Sequence, residues 1–76
     1  MTEAQIISAC KEAEDKYLKN NHRPAAVRLG KWLLLADKKD YRGTDWLYET
    51  AKSGVPVFKG TRHEVVQHIQ SHEGVG

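Results

Sequence analysis

A chain of 76 residues, 39% hydrophobic and 29% charged, holds one hydrophobic core and no second one, which predicts a single compact domain over residues 1–76. Cys10 is the only cysteine, which excludes an intrachain disulfide and a cysteine-rich zinc module and fits a reducing, cytoplasmic setting. The formal charge is +2 but unevenly spread: Lys19 to Arg42 carries seven basic residues against two acidic, and the rest of the chain five against eight.

Met1 leads into Thr2-Glu3-Ala4-Gln5 without a basic or continuous apolar leader, which argues against a secretory signal. The same four residues have the form of a capping box, a hydroxyl for the third helical amide and a glutamine reaching back to the cap, so a helix is predicted to start there. Ile6, Cys10, Ala13 and Tyr17 recur at spacings of four, three and four, an apolar stripe of helical period. Glu12 and Lys16 add an i,i+4 pair. Asn20-Asn21 and His22-Arg23-Pro24 stop the helix, because the residue before proline is pushed out of the helical region.

Pro24 to Leu35 reads two ways. Either Ala25, Val27 and Leu29 form a short strand broken by Gly30, with Lys31 to Asp37 starting a helix, or one helix runs from Pro24 to about Lys38. We adopt the first. Thr44 is a suitable N-cap for a short helix carrying Trp46, Leu47, Tyr48 and Ala51, with Gly54 just past its end. Val55-Pro56-Val57-Phe58 reads as a brief strand that Pro56 confines to a sheet edge or to a strand's first residues. Thr61-Arg62-His63-Glu64 repeats the capping box, and Val65, Val66 and Ile69 fit a helical face; the competing reading returns Glu64 to Ile69 as a strand after a Lys59-Gly60 turn. Helix is adopted, with residues 71–76 fraying. The sum is an α+β fold, two or three short strands packed against two to four helices.

The order Arg23-Pro24-Ala25-Ala26-Val27-Arg28-Leu29-Gly30, an apolar helix, then Gly54-Val55-Pro56-Val57 loosely resembles a segment of the accessory domain of tailed-phage major capsid proteins. It covers about half the chain and no functional residue; it implies a phage or prophage origin and nothing about chemistry.

Few residues are arranged for chemistry. Glu64, His68 and His72 would stack on one helical face, and His-x-x-x-His is a metal-ligand spacing, but no cysteine pair accompanies it and a solvated face is the reading adopted. His22 and His63 stand alone as surface or capping groups. Cys10 lies on the apolar stripe and reads as a buried structural thiol. Ser8, Ser53 and Ser71 lack a nucleophile elbow, and Gly30, Gly43, Gly54 and Gly60 form no phosphate loop. No catalytic residue, cofactor, metal or small-molecule substrate is assigned, and a metal- or thiol-dependent enzyme is the least favoured function.

Two binding readings remain. The favoured one is a small interaction module, of the kind a phage accessory or inhibitor protein would be, that binds another protein or itself through Tyr41, Arg42, Trp46, Tyr48 and Lys52, the aromatic and basic composition of a binding hot spot. The alternative is a nucleic-acid accessory protein: Lys19, Arg23, Arg28, Lys31, Lys38, Lys39 and Arg42 would neutralise phosphates, with Trp32, Tyr41 and Trp46 for stacking. A helix-turn-helix between Leu47 and Val66 is excluded by the position of Gly54 and by Val55-Pro56-Val57.

Overall fold

The computed structural model describes residues 2–39 and 46–73, with the side chains of Lys38 and Lys39 outside that description. Helix α1 (Glu3–Lys19) is followed by strands β1 (Val27–Leu29), β2 (Trp32–Lys39), β3 (Trp46–Lys52) and β4 (Val55–Gly60) and helix α2 (Arg62–Glu73). The fold is α+β, as composition and pattern predict, with four strands where two or three were expected.

Both helices start where the capping boxes place them. Thr2 Oγ1 accepts from the Gln5 amide at 3.2 Å and Gln5 Oε1 accepts from the Thr2 amide at 2.8 Å. Thr61 and Glu64 make the reciprocal pair at α2, at 2.9 and 3.4 Å. That box holds the Glu64 carboxyl below its ordinary pKa, because the ionised form accepts from the Thr61 amide. Helix α2 continues through Glu73, past the point where fraying was expected; residues 74–76 lie outside the described residues.

The strands form one antiparallel meander in the order β1-β2-β3-β4. Gly30 ends β1 as expected, at φ +62°, but it turns the chain into a hairpin that pairs Leu29 with Trp32, so Lys31 to Asp37 enters a strand and not a helix. The segment after Thr44 is likewise strand β3; Gly54, at φ +84°, supplies its hairpin turn to β4 and caps no helix. Thr44 itself lies outside the described residues. Strand β4 is an edge strand, as Pro56 requires, and the β3–β4 register slips between Thr50 and Lys52 beside that proline, where a missing amide hydrogen costs no ladder bond.

Helices α1 and α2 cover one face of the sheet. The core there consists of Ile6, Ala9, Cys10 and Ala13 from α1, Val27, Trp32, Leu34, Ala36 and Tyr48 from the strands, and Val65, Val66 and Ile69 from α2. Because side chains alternate along a strand, burying Trp32, Leu34 and Ala36 sends Leu33 and Leu35 to the other face, and burying Tyr48 and Thr50 does the same for Leu47, Glu49 and Ala51. The order of the elements provides no third layer: among the described residues that second face carries no helix.

Candidate interaction surface

The helix side of the sheet holds the sequence's chemistry-bearing residues, and it uses them for packing. Trp32 is fully buried. Its indole Nε1 donates to Glu73 Oε1 at 2.6 Å, and Lys52 Nζ bonds the same oxygen at 3.3 Å while lying 5.3 Å from the Trp32 ring centre. These donors hold the Glu73 carboxyl below its ordinary pKa, Trp32 first and Lys52 second. The last turn of α2 is thereby tied to β2 and β3.

His68 and His72 do share a face of α2, on which His68 is half-buried while His72 and Glu64 are exposed. His68 stacks on Phe58 at 4.3 Å and 11° and meets Trp32 edge-on at 5.7 Å; His72 lies 6.0 Å from Trp32 and 4.6 Å from His68. Glu64 is engaged in its capping box, and among the described residues no three histidine, cysteine or carboxylate side chains converge as a metal site.

Burial lowers the His68 pKa, with the nearby His72 charge acting in the same direction. Its folded pKa therefore lies below its unfolded one, and on acidification the unfolded chain takes up the proton first. The His68 contribution to stability is present above the ordinary histidine value of 6.5 and is lost as pH falls below it. Equilibrium unfolding measured across this range will show stability declining below 6.5 in the wild type and a shallower decline in His68→Phe, which keeps a ring on Phe58.

Between α1, β3 and α2 lies a second polar group. Tyr48 Oη donates to Glu14 Oε2, and Arg62 Nη2 donates to the same oxygen at 2.8 Å and to Tyr48 Oη at 3.4 Å. Burial first and the Glu14 hydrogen bond second raise the Tyr48 pKa; hydrogen bonds to Tyr48 and Glu14 raise that of Arg62. Nearby Cys10 is fully buried, as its place on the stripe predicts, and burial pushes its thiol up to about 11. A thiol held protonated and covered is a poor nucleophile. Thiol reagents will therefore label Cys10 only at the rate at which the domain opens, and labelling of the native protein at the rate of a free thiol would contradict this placement.

The residues singled out for partner binding divide sharply. Tyr41 and Arg42 lie outside the described residues. Tyr48 is a core residue, 1% exposed, and is no surface anchor. Trp46 meets Tyr17 edge-on at 5.2 Å and packs against the core, beside a groove of about 450 Å³ lined by Glu14, Tyr17, Leu18, His22 and Trp46. Lys52 is tied to Glu73. Trp46, Tyr48, Thr50 and Lys52 alternate onto the helix side of β3, so a helical reading of this segment selected the wrong face of what is a strand.

The basic region is spread out. Lys19, at the end of α1, pairs with Asp15 at 2.9 Å; Arg23 follows in the α1–β1 connection; Arg28 is on β1 and Lys31 in the β1–β2 turn. The backbone of Lys31, just before β2, and that of Lys38, near the strand's far end, are separated by about 24 Å at the strand rise of ~3.4 Å per residue. Arg42 lies outside the described residues. Trp32, wanted as a base-stacking platform, is buried in the core.

What remains is the helix-free face. Leu33 is 45% exposed and Val57 62% exposed, and Leu35, Leu47 and Ala51 are half-buried beside them without joining the core. The ladder sets Arg28, Leu33 and Ala51 in one row and Leu35, Glu49 and Lys59 in the next. Asp37, on the same face, pairs with Lys59. None of the apolar residues of this face was selected from the sequence as a site; the signal was the unbroken run Trp32-Leu33-Leu34-Leu35-Ala36, a strand apolar on both faces.

No protein-family model, curated protein or solved structure matches this chain. The resemblance to a capsid accessory domain required an apolar helix after Gly30, where β2 stands instead. Among the described residues no helix is long and apolar enough to cross a membrane.

Proposed function

We propose that this chain is a small non-catalytic module that binds another protein chain through the helix-free face of its sheet. The observation that carries this reading is the exposure of Leu33 and Val57, 45% and 62%, on a face that also carries the half-buried Leu35, Leu47 and Ala51. Large apolar side chains left exposed together on one face of a domain mark a protein-contact surface. The charged side chains of this face are Arg28, Asp37 and Lys59, with Glu49 set among the apolar residues between Leu47 and Ala51 on β3. A reducing cytoplasmic setting suits the lone thiol of Cys10.

The nucleic-acid reading receives less support, since Trp32, one of its stacking residues, is committed to the core. The test is capture from the native host with three baits: wild type, Leu33→Glu, and Lys11→Glu on the exposed side of α1. Partner retained by wild type and Lys11→Glu and lost from Leu33→Glu is the result this reading requires. Equal retention by Leu33→Glu, with its fold intact by circular dichroism, refutes it.

A further inference from the structure

Resting on the reading of the helix-free face as a protein-contact surface, we infer that its partner is a second copy of the same chain, packed face to face about a two-fold axis. An isologous interface needs a patch complementary to itself, because each residue meets its counterpart across the axis. This face has that property. Among the described side chains, two basic residues, Arg28 and Lys59, stand with two acidic ones, Asp37 and Glu49, and these four carry no net charge.

Lys59 and Asp37 pair within the chain, and among the described residues neither Arg28 nor Glu49 forms a salt bridge. On the ladder Arg28 and Glu49 sit two strands and one same-face row apart, roughly 12 Å, with Leu33 and Leu35 between them. An axis lying in the interface and bisecting that separation sets each Arg28 against Glu49 of the second copy. Leu33 and Leu35 then fall at the centre, where apolar burial contributes most.

The sheet edges direct association to this face. Strand β1 is only three residues long, and β4 carries Pro56, an irregular register and Lys59, all of which obstruct pairing with another strand. Joining two copies by their faces covers the exposed leucines of both at once. It also enlarges the buried surface of a domain whose size limits its own core.

Reciprocal charges give a test specific to a second copy. Sedimentation and light scattering are measured from low micromolar to near-millimolar protein for wild type, Arg28→Glu, Glu49→Arg, the double variant and an equimolar mixture of the two single variants. Wild type forms a dimer. Each single variant places like charges opposite one another twice and weakens association about tenfold or more. The mixture regains a dimer, now hetero, because each chain's changed residue meets the charge it needs, and the double variant regains a homodimer.

A wild type that stays monomeric throughout overturns the inference, as does a mixture that associates no better than its components. Should a charge reversal disturb the fold, judged by thermal melting, Arg28→Gln and Glu49→Gln carry the same comparison through the loss of attraction alone. The two readings fail separately. A monomeric wild type whose captured partner is lost from Leu33→Glu removes the second copy and keeps the contact face. Unchanged capture by folded Leu33→Glu removes the contact face itself.

Discussion

Trp32→Ala will lose about 3–5 kcal/mol, the range for deleting a buried tryptophan or phenylalanine side chain. The full cost is expected here because Trp32 is fully buried and its indole also donates to Glu73, so the variant opens a cavity and removes an anchor of α2. A domain of 76 residues has a stability of about 4–11 kcal/mol at the usual value per residue, so this one change removes a large share of it. Chemical denaturation monitored by circular dichroism measures the loss. A cost below about 1 kcal/mol would mean that Trp32 is not in the core.

The second large effect is at Tyr48, and a pair of substitutions divides it. Tyr48→Ala removes a buried ring and is expected to cost about 3–5 kcal/mol. Tyr48→Phe keeps the ring and removes only the hydroxyl; Arg62 still bonds Glu14, so neither partner is left alone, and the cost is about 1 kcal/mol. Were Tyr48 a partner-binding side chain, Tyr48→Ala would instead leave stability nearly unchanged and weaken binding. Denaturation midpoints of the two variants decide between these roles.

The ends of the fold were legible because their signals are local. A capping box spans four residues, and both boxes form with the hydrogen bonds their side chains predict. The apolar stripe of α1 is helical in period and buries Ile6, Cys10 and Ala13 as expected. The middle was misread for a physical reason that concerns function. A strand that is apolar inside and polar outside alternates visibly; β2 does not, because Leu33 and Leu35 face outward between the buried Trp32, Leu34 and Ala36.

Strand β3 repeats the difficulty. Trp46, Leu47 and Tyr48 are consecutive and large, and only their cross-strand partners, Lys39, Lys38 and Ala36, reveal the sheet. Those pairings are non-local, and no window along the chain contains them. The error had a direct consequence for the site. Reading 46–52 as a helix drew attention to Trp46, Tyr48 and Lys52, all on the covered side, and away from Leu47, Glu49 and Ala51. The outward leucines that obscured the strand are the residues now assigned to partner contact.

The histidines show the same dependence on non-local structure. Their i,i+4 spacing was visible, and so was the lack of further ligands nearby in sequence. The stacking of His68 on Phe58 was not, because it follows from α2 crossing β4. Of the pair, His68 belongs to the packing that fixes α2, and His72 stays exposed as a solvated face predicts.

A methyl-resolved NMR dilution series on the wild-type protein, extended by titration with any captured partner, tests directly whether the helix-free face makes the contact. Shifts and broadening are expected at Leu33, Leu35, Leu47 and Val57 as the complex forms, with Ile6, Val65 and Ile69 in the core unmoved. Changes confined to the helix side, at Leu18 or around Trp46, with Leu33 and Val57 silent, would contradict this expectation.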